Sequence, residues 1–181
     1  MAAPALTRVA WIGAAAVAAA TILAFALHGR RPDSGLVRFE AAGVMVHIAP
    51  ERVREVELTA GERRWRFARV PTGGWSATGP PLPSRDWARL IDEGLRFLSV
   101  SAPQRVMARE EYAGMSPGEF GLGPARYAVL VRALETEPFA IEFGSFNALG
   151  LGQYARVAGR AELFLLPSFV GEPWAKATGL R

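Results

Sequence analysis

The chain has 181 residues, of which 50% are hydrophobic and 21% charged, a balance typical of a folded globular protein. Cysteine is absent, which excludes disulfides, thiol nucleophiles and thiolate metal sites. Three of the 21 basic residues flank an apolar run near the N-terminus, and the remaining 18 basic and all 17 acidic residues follow it. The globular part is therefore nearly neutral, and a nucleic-acid partner is not expected.

The apolar run extends from Val9 to Leu27, 19 residues without a charged side chain. A helix of this length, rising about 1.5 Å per residue, is long enough to cross the hydrocarbon core of a membrane. Arg8 at one end and Arg30 and Arg31 at the other are typical of side chains at the membrane surface. The run predicts one transmembrane helix within residues 1–31. Its flanking charges nearly balance, so they leave both orientations open.

A cleaved signal peptide is the alternative for this run, with Ala24-Phe25-Ala26 as its cleavage site. The run is longer than the roughly 7 to 15 apolar residues of a signal peptide, which favours an uncleaved anchor. Small residues also recur at spacing four, and they predict two ridges where another helix can approach closely: Ala10, Ala14 and Ala18, and Ala16, Ala20 and Ala24. An alanine-rich genomic composition is the competing explanation of these ridges.

Residues 32–49 are interpreted as a polar linker with lead-in strands, and residues 50–181 as one globular α+β domain. Within the lead-in, the apolar runs 36–39 and 44–48 predict either a hairpin or an extended entry into the domain. The domain is expected to be a mostly antiparallel sheet with packed helices.

The first half of the domain alternates between apolar and polar residues, which predicts strands over 53–58 and 63–70 and a short strand opening at Trp75. Trp65 and Phe67 share one face of the second strand, so we expect them to point inward and the interleaved arginines outward.

A helix follows, with Ser84 as its predicted cap and apolar residues at helical spacing: Trp87, Leu90, Ile91, Leu95 and Leu98. A strand over 102–108 and short helical turns within 109–120 complete this half.

The second half repeats this order, with strands over 126–134, 139–143, 153–157 and 163–166 and a helix over 167–177. Pro167 is expected in the first turn of that helix. The repetition favours two similar strand-and-helix units.

Several short segments occur in an order and spacing that resemble the domain of unknown function 4340 family, over about residues 50–181: Gly74-Trp75, Tyr112, Phe120-Gly121-Leu122 with Pro124, Ile141-Glu142-Phe143-Gly144, Gln153-Tyr154-Ala155-Arg156 and Arg181. The resemblance implies an extracytoplasmic α+β domain behind one N-terminal helix, with no known reaction and no catalytic residue to carry over. Some members are described as auxiliary proteins of gliding-motility ABC transporters. It also implies that Gly144 ends a strand in a turn.

Side chains suited to catalysis are few. His28 lies at the predicted membrane boundary and His47 stands alone, so the spacing of a metal site is missing. Ser145 follows Gly144 without completing Gly-x-Ser-x-Gly. The glycine-rich stretch 144–152 lacks the lysine of a phosphate loop and is expected to be flexible. We expect no cofactor and no metal.

The sequence thus predicts a non-catalytic, membrane-anchored accessory or scaffold subunit of a bacterial inner-membrane complex. Its expected partners are other membrane subunits and the lipid bilayer, and its domain is expected in the periplasm because of the family resemblance. A membrane-tethered ligand-binding module and a tethered hydrolase are the alternatives.

Overall fold

A computed structural model describes residues 43–180 together with Ala18 and Ala19, which are helical and exposed. The chain divides into two compact units, Met1–Phe39 and Glu40–Arg181. The rest of the predicted anchor, the linker and Arg181 lie outside the described residues, as do these ridge positions: Ala10, Ala14, Ala16, Ala20 and Ala24. Among the residues that are described, no helix has the length and apolar character needed to cross a membrane.

The described part of the second unit contains eight strands and two α-helices. In chain order they are β1 Val53–Ala60, β2 Arg63–Arg69, β3 Trp75–Thr78, α1 Trp87–Val100, β4 Arg105–Met107, β5 Tyr127–Ala133, β6 Phe139–Phe146, β7 Gly152–Val157, β8 Leu163–Pro167 and α2 Ser168–Thr178. Short 3-10 turns lie at Pro50–Arg52, Arg109–Tyr112 and Pro117–Phe120.

All eight strands form one sheet in the order β3-β2-β1-β5-β6-β7-β8-β4, and every neighbouring pair is antiparallel. β1 and β5 lie side by side and join two meanders. The first meander, β1 to β3, leads into α1, and the second, β5 to β8, leads into α2. The predicted α+β class, with an antiparallel sheet and packed helices, is confirmed. The first meander has three strands before its helix and the second has four, and the expectation of two similar strand-and-helix units stays a prediction.

The main core lies between the sheet and the two helices, which pack against each other. Trp65 and Phe67 of β2 are buried in it, as the alternation predicted. Leu90, Ile91 and Leu95 line the buried side of α1 because their spacing places them on one helical face. Burying one such large apolar side chain stabilises the fold by about 1.5 to 3 kcal/mol.

The segment 44–48 is not a strand, and the run 36–39 with which it could form a hairpin lies outside the described residues. The backbone at 43–45 pairs with the end of α1, since the N–H of Gly43 donates to the carbonyl of Ser99 and that of Met45 to the carbonyl of Leu98, both at 3.0 Å. Val44 and Met45 are buried against the core. An apolar run marks burial, and burial alone does not require a strand.

Two helix starts lie later than predicted. α1 begins at Trp87, and Ser84 instead accepts a hydrogen bond from the N–H of Asp86 at 3.2 Å, one turn before the helix. Pro167 ends β8 and precedes α2, so it lies outside the first helical turn. β4 is also shorter than its predicted strand.

Candidate functional site

The sheet has a second face, opposite the helices, which we call the open face. Strand register places five of its side chains in one row across β2, β1, β5, β6 and β7: Arg64, Thr59, Ala128, Glu142 and Arg156. Side chains on alternate positions of a strand point to the same side, so this row and its neighbours form one continuous surface.

Charges on the open face are paired across neighbouring strands. Glu55 on β1 accepts hydrogen bonds from Arg66 on β2 at 2.5 Å and from Arg132 on β5 at 2.6 Å. The hydrogen bond from Arg66 lowers the pKa of the Glu55 carboxyl, partial burial opposes this, and the charges of both arginines add to the lowering. One carboxylate thus holds three strands together.

Two further pairs follow the same pattern. Arg64 lies 3.3 Å from Glu57, and Arg156 lies 2.5 Å from Glu142. The arginines that interleave with Trp65 on β2 therefore meet carboxylates of the domain itself, while the aromatic ring is buried. This surface has none of the unbalanced positive charge that attracts a polyanion.

A shallow groove of about 360 Å³ runs along the open face between these pairs, and we call it the open-face groove. Its floor consists of small or aliphatic side chains: Thr59, Ala128, Leu130, Ala140 and Ala158. Its border carries side chains of both charges: Glu57, Glu142, Arg156 and Arg160. A surface of this kind suits an extended chain or a helix edge that brings its own mixed charges. The single hydroxyl among the lining residues belongs to Thr59, and no histidine lines the groove.

A second cavity, of about 330 Å³, lies on the helix side between α2 and the ends of β5, β6 and β7, and we call it the helix-side cleft. Tyr127 and Gln153 form its polar base. The Tyr127 hydroxyl donates to the carbonyl of Gly171 at 2.9 Å and lies 3.3 Å from Gln153 Oε1. Gln153 Nε2 in turn donates to the carbonyl of Gly144 at 3.0 Å. Burial raises the pKa of Tyr127, so this hydroxyl stays protonated at neutral pH.

Most segments that carry the family resemblance converge at one place. The connection from β4 to β5 folds over β7, β8 and β4 on the open face, and it buries a small second core of Met107, Phe120, Leu122 and Leu163. Phe120 meets Tyr154 edge-on at 5.1 Å, and the Tyr112 hydroxyl donates to the carbonyl of Ala161. These segments hold a cover in place, which is a structural role.

The position of Gly144 differs from the one that the resemblance implies. β6 continues through it to Phe146, with an irregular register after Phe143, so Gly144 lies inside a strand. A Cβ at Gly144 would overlap the carbonyl oxygen of Phe120, and one at Gly121 would lie 2.5 Å from the nitrogen of Ser145. The two glycines therefore allow the cover and β6 to touch through their backbones.

The remaining candidates that fall among the described residues do not assemble into a site, and His28 lies outside those residues. His47 is exposed, and within residues 43–180 no group of three or more metal-binding side chains is found. Ser145 lies beside the backbone of Gly121. Of the predicted ridge positions, only Ala18 falls among the described residues. The groove was not predicted from the sequence. The one signal that could have indicated it is the pair Ala128 and Ala140, two small residues at positions of β5 and β6 that face outward.

Comparison with protein-family models, with curated proteins and with solved structures found no match to this chain. The resemblance to the domain of unknown function 4340 family therefore stays a prediction.

Proposed function

We propose that this protein is a non-catalytic, membrane-anchored accessory or scaffold subunit of a bacterial inner-membrane complex, whose open-face groove binds a segment of a neighbouring membrane subunit. The domain faces the periplasm and the predicted helix within residues 1–31 holds it at the bilayer. Nucleic acid has no part in this function.

One observation supports this proposal above the others, namely a groove with a floor of small side chains bordered by paired charges. Alanine floors allow another chain to approach the sheet closely, which maximises dispersion contacts. The bordering ion pairs are half-exposed, as in Arg156 and Glu142, so they can exchange partners without leaving a buried charge. Such a charged border gives specificity for a partner that carries both positive and negative side chains.

The test is affinity purification of the full chain in mild detergent, with the co-purifying subunits identified, from cells carrying Ala128→Trp or Ala68→Trp. Ala128 lies in the groove floor, whereas Ala68 lies on the same face opposite Glu55 and outside the groove. We expect Ala128→Trp to reduce the recovered partner at least about tenfold, which corresponds to roughly 1.4 kcal/mol. Equal recovery with both variants would contradict the proposal.

The helix-side cleft favours a second candidate, a membrane-tethered ligand-binding module. Its polar base and apolar wall, which includes Phe146 and Ala175, are typical of small-molecule sites. A library compound that raises the unfolding temperature saturably should lose its effect with Ala175→Leu, which narrows the cleft, and keep it with Ala128→Trp. Activity profiling of the purified chain separates both candidates from a tethered hydrolase.

A further inference from the structure

Three separate segments expose large apolar side chains at one edge of the domain, and we call these four residues the apolar rim: Val100 (53% exposed), Leu149 (78%), Leu151 (63%) and Phe169 (44%). Val100 ends α1, the two leucines lie in the turn from β6 to β7, and Phe169 opens α2. Exposed side chains of this size normally occur singly on a soluble surface, so their grouping calls for a partner.

Direct contacts show that the three segments converge. Phe97, one turn before Val100 on α1, meets Phe169 edge-on at 5.1 Å. The carbonyl of Leu151 accepts hydrogen bonds from the N–H of Ser168 at 3.0 Å and from Gln104 Nε2 at 3.1 Å. The apolar rim is therefore held in position by the folded domain.

Basic side chains outnumber acidic ones beside the apolar rim. Glu172, one turn after Phe169, lines the helix-side cleft together with Arg126 and lies 2.6 Å from Lys176. The stretches 97–104, 146–153 and 163–171, which build it, contain no acidic residue. Arginines flank it instead, with Arg96 lying over the ring of Phe97 and Arg126 over the ring of Phe146, each at 5.4 Å. Apolar side chains edged by arginine are typical of surfaces that enter the headgroup region of a membrane with anionic lipids.

The path of the chain points to the same partner. The described part of the domain begins at Gly43, whose N–H donates to the carbonyl of Ser99, the residue before Val100. Only residues 28–42 separate Gly43 from the predicted anchor, a reach of at most about 50 Å when fully extended. The first described residue of the domain thus lies next to Ser99, beside the rim residue Val100.

From these observations we infer that the apolar rim lies on the lipid bilayer and orients the domain on it, with Leu149 and Leu151 in the headgroup region. This inference rests on the membrane anchoring in the proposed function. The open-face groove includes Ala158 and Arg160 of the turn after β7, whereas the rim leucines lie in the turn before β7, at the other end of that strand. Contact with the bilayer through the apolar rim therefore leaves the groove accessible to a partner.

The test uses the absence of cysteine from the chain, which makes single-cysteine labelling specific. The full-length Leu149→Cys variant is labelled at the new cysteine with an environment-sensitive fluorophore. It is then reconstituted into vesicles of phosphatidylcholine and phosphatidylglycerol that contain doxyl-labelled lipid as quencher. Thr72→Cys, exposed in the turn between β2 and β3 at the opposite edge of the sheet, is the matched control. We expect blue-shifted emission and several-fold stronger quenching at position 149 than at 72.

Alkaline extraction of the same vesicles separates the outcomes. If the chain resists extraction but position 149 emits as in water, the inference fails while the anchor stands. Blue-shifted emission at position 149 that doxyl-labelled lipid does not quench also overturns the inference, because a protein and not lipid then covers the apolar rim. If the chain is extracted yet position 149 was quenched, the anchor fails and the lipid contact holds. If the chain is extracted and the fluorophore at position 149 emits as in water, both the anchor and the lipid contact are refuted.

Discussion

The indole ring of Trp174 lies directly against the backbone of Gly94, at the point where α2 packs on α1. A Cβ at Gly94 would be 2.5 Å from the Cε2 and Cζ2 atoms of the ring. Trp174 is fully buried. Glycine within a helix costs about 1 kcal/mol relative to alanine, so its presence in α1 is explained by this close approach.

Gly94→Ala is expected to lower the free energy of unfolding by about 1 to 3 kcal/mol, because the added methyl group overpacks the helix contact. Urea unfolding followed by circular dichroism measures this loss. In a Trp174→Phe background the smaller ring leaves room, so the cost of Gly94→Ala should shrink or change sign. Equal costs in the two backgrounds would show that the ring does not set the helix spacing.

Gly144→Ala is expected to destabilise the chain more than Gly114→Ala. A Cβ at Gly144 would overlap the backbone of Phe120, whereas one at Gly114 meets no atom within 4 Å. Since the obstacle is backbone, β6 and the cover must separate, and we expect a loss of about 2 to 3 kcal/mol. Gly114→Ala should be neutral or slightly stabilising. Thermal unfolding of both variants checks the difference, and similar melting temperatures would refute the close contact.

Much of the fold is predictable from local pattern, but the surfaces are not. Alternation in β2 correctly places Trp65 and Phe67 in the core, because a buried face leaves a period of two in the sequence. The pairing of β1 with β5 leaves no such signal. It brings Glu55 next to Arg132, 77 positions away, and the open face depends on it. The groove is a product of this long-range pairing, and the apolar rim depends on other contacts between distant residues, such as that of Phe97 with Phe169.

Tyr127→Phe is expected to lower the free energy of unfolding by about 1 to 2 kcal/mol, since the buried carbonyl of Gly171 loses its hydrogen-bond donor. The loss should also depend on pH. Burial raises the pKa of Tyr127 above its ordinary value of 10.0, so above that pH the unfolded state ionises while the folded state holds the proton.

The advantage of tyrosine over phenylalanine is therefore complete below pH 10 and lost as the pH rises towards the folded value, by up to about 1.4 kcal/mol per pH unit. Urea unfolding at neutral and alkaline pH measures it. A difference between wild type and Tyr127→Phe that stays constant above pH 10 would show that the hydroxyl is hydrated.

Leucine at Ala14 and Ala18 together is expected to preserve membrane insertion but to reduce co-purification of the partner. Leucine favours the bilayer core, yet its bulk prevents the close backbone approach through which helices associate in lipid. Membrane content and recovered partner are measured side by side, with leucine at Ala16 and Ala20 testing the second ridge. Full recovery in both double variants would assign partner binding to the domain alone.

Glu55→Gln tests the junction between the two meanders. Glu55 bonds Arg66 on one side and Arg132 on the other, so its charge stabilises both the β1–β2 and β1–β5 pairs. We expect the variant to lose about 0.5 to 1 kcal/mol at neutral pH, the upper range for partly exposed pairs. Glu142→Gln, which removes a single and more exposed pair, is the control and should lose less.

The direction of the pKa shift of Glu55 determines how its contribution to stability changes with pH. Because the folded-state pKa of Glu55 is lowered below its ordinary value of 4.5, its contribution is fully present above that pH. It disappears as the pH falls through the lowered folded value, where the carboxyl binds a proton in both states. Urea unfolding of wild type and Glu55→Gln at descending pH should therefore converge below 4.5. High salt should narrow the gap at neutral pH as well, since screening weakens exposed charges. A gap that persists through the acid range would mean that Glu55 acts through packing, and its two arginines would then be surface side chains with no part in joining the meanders.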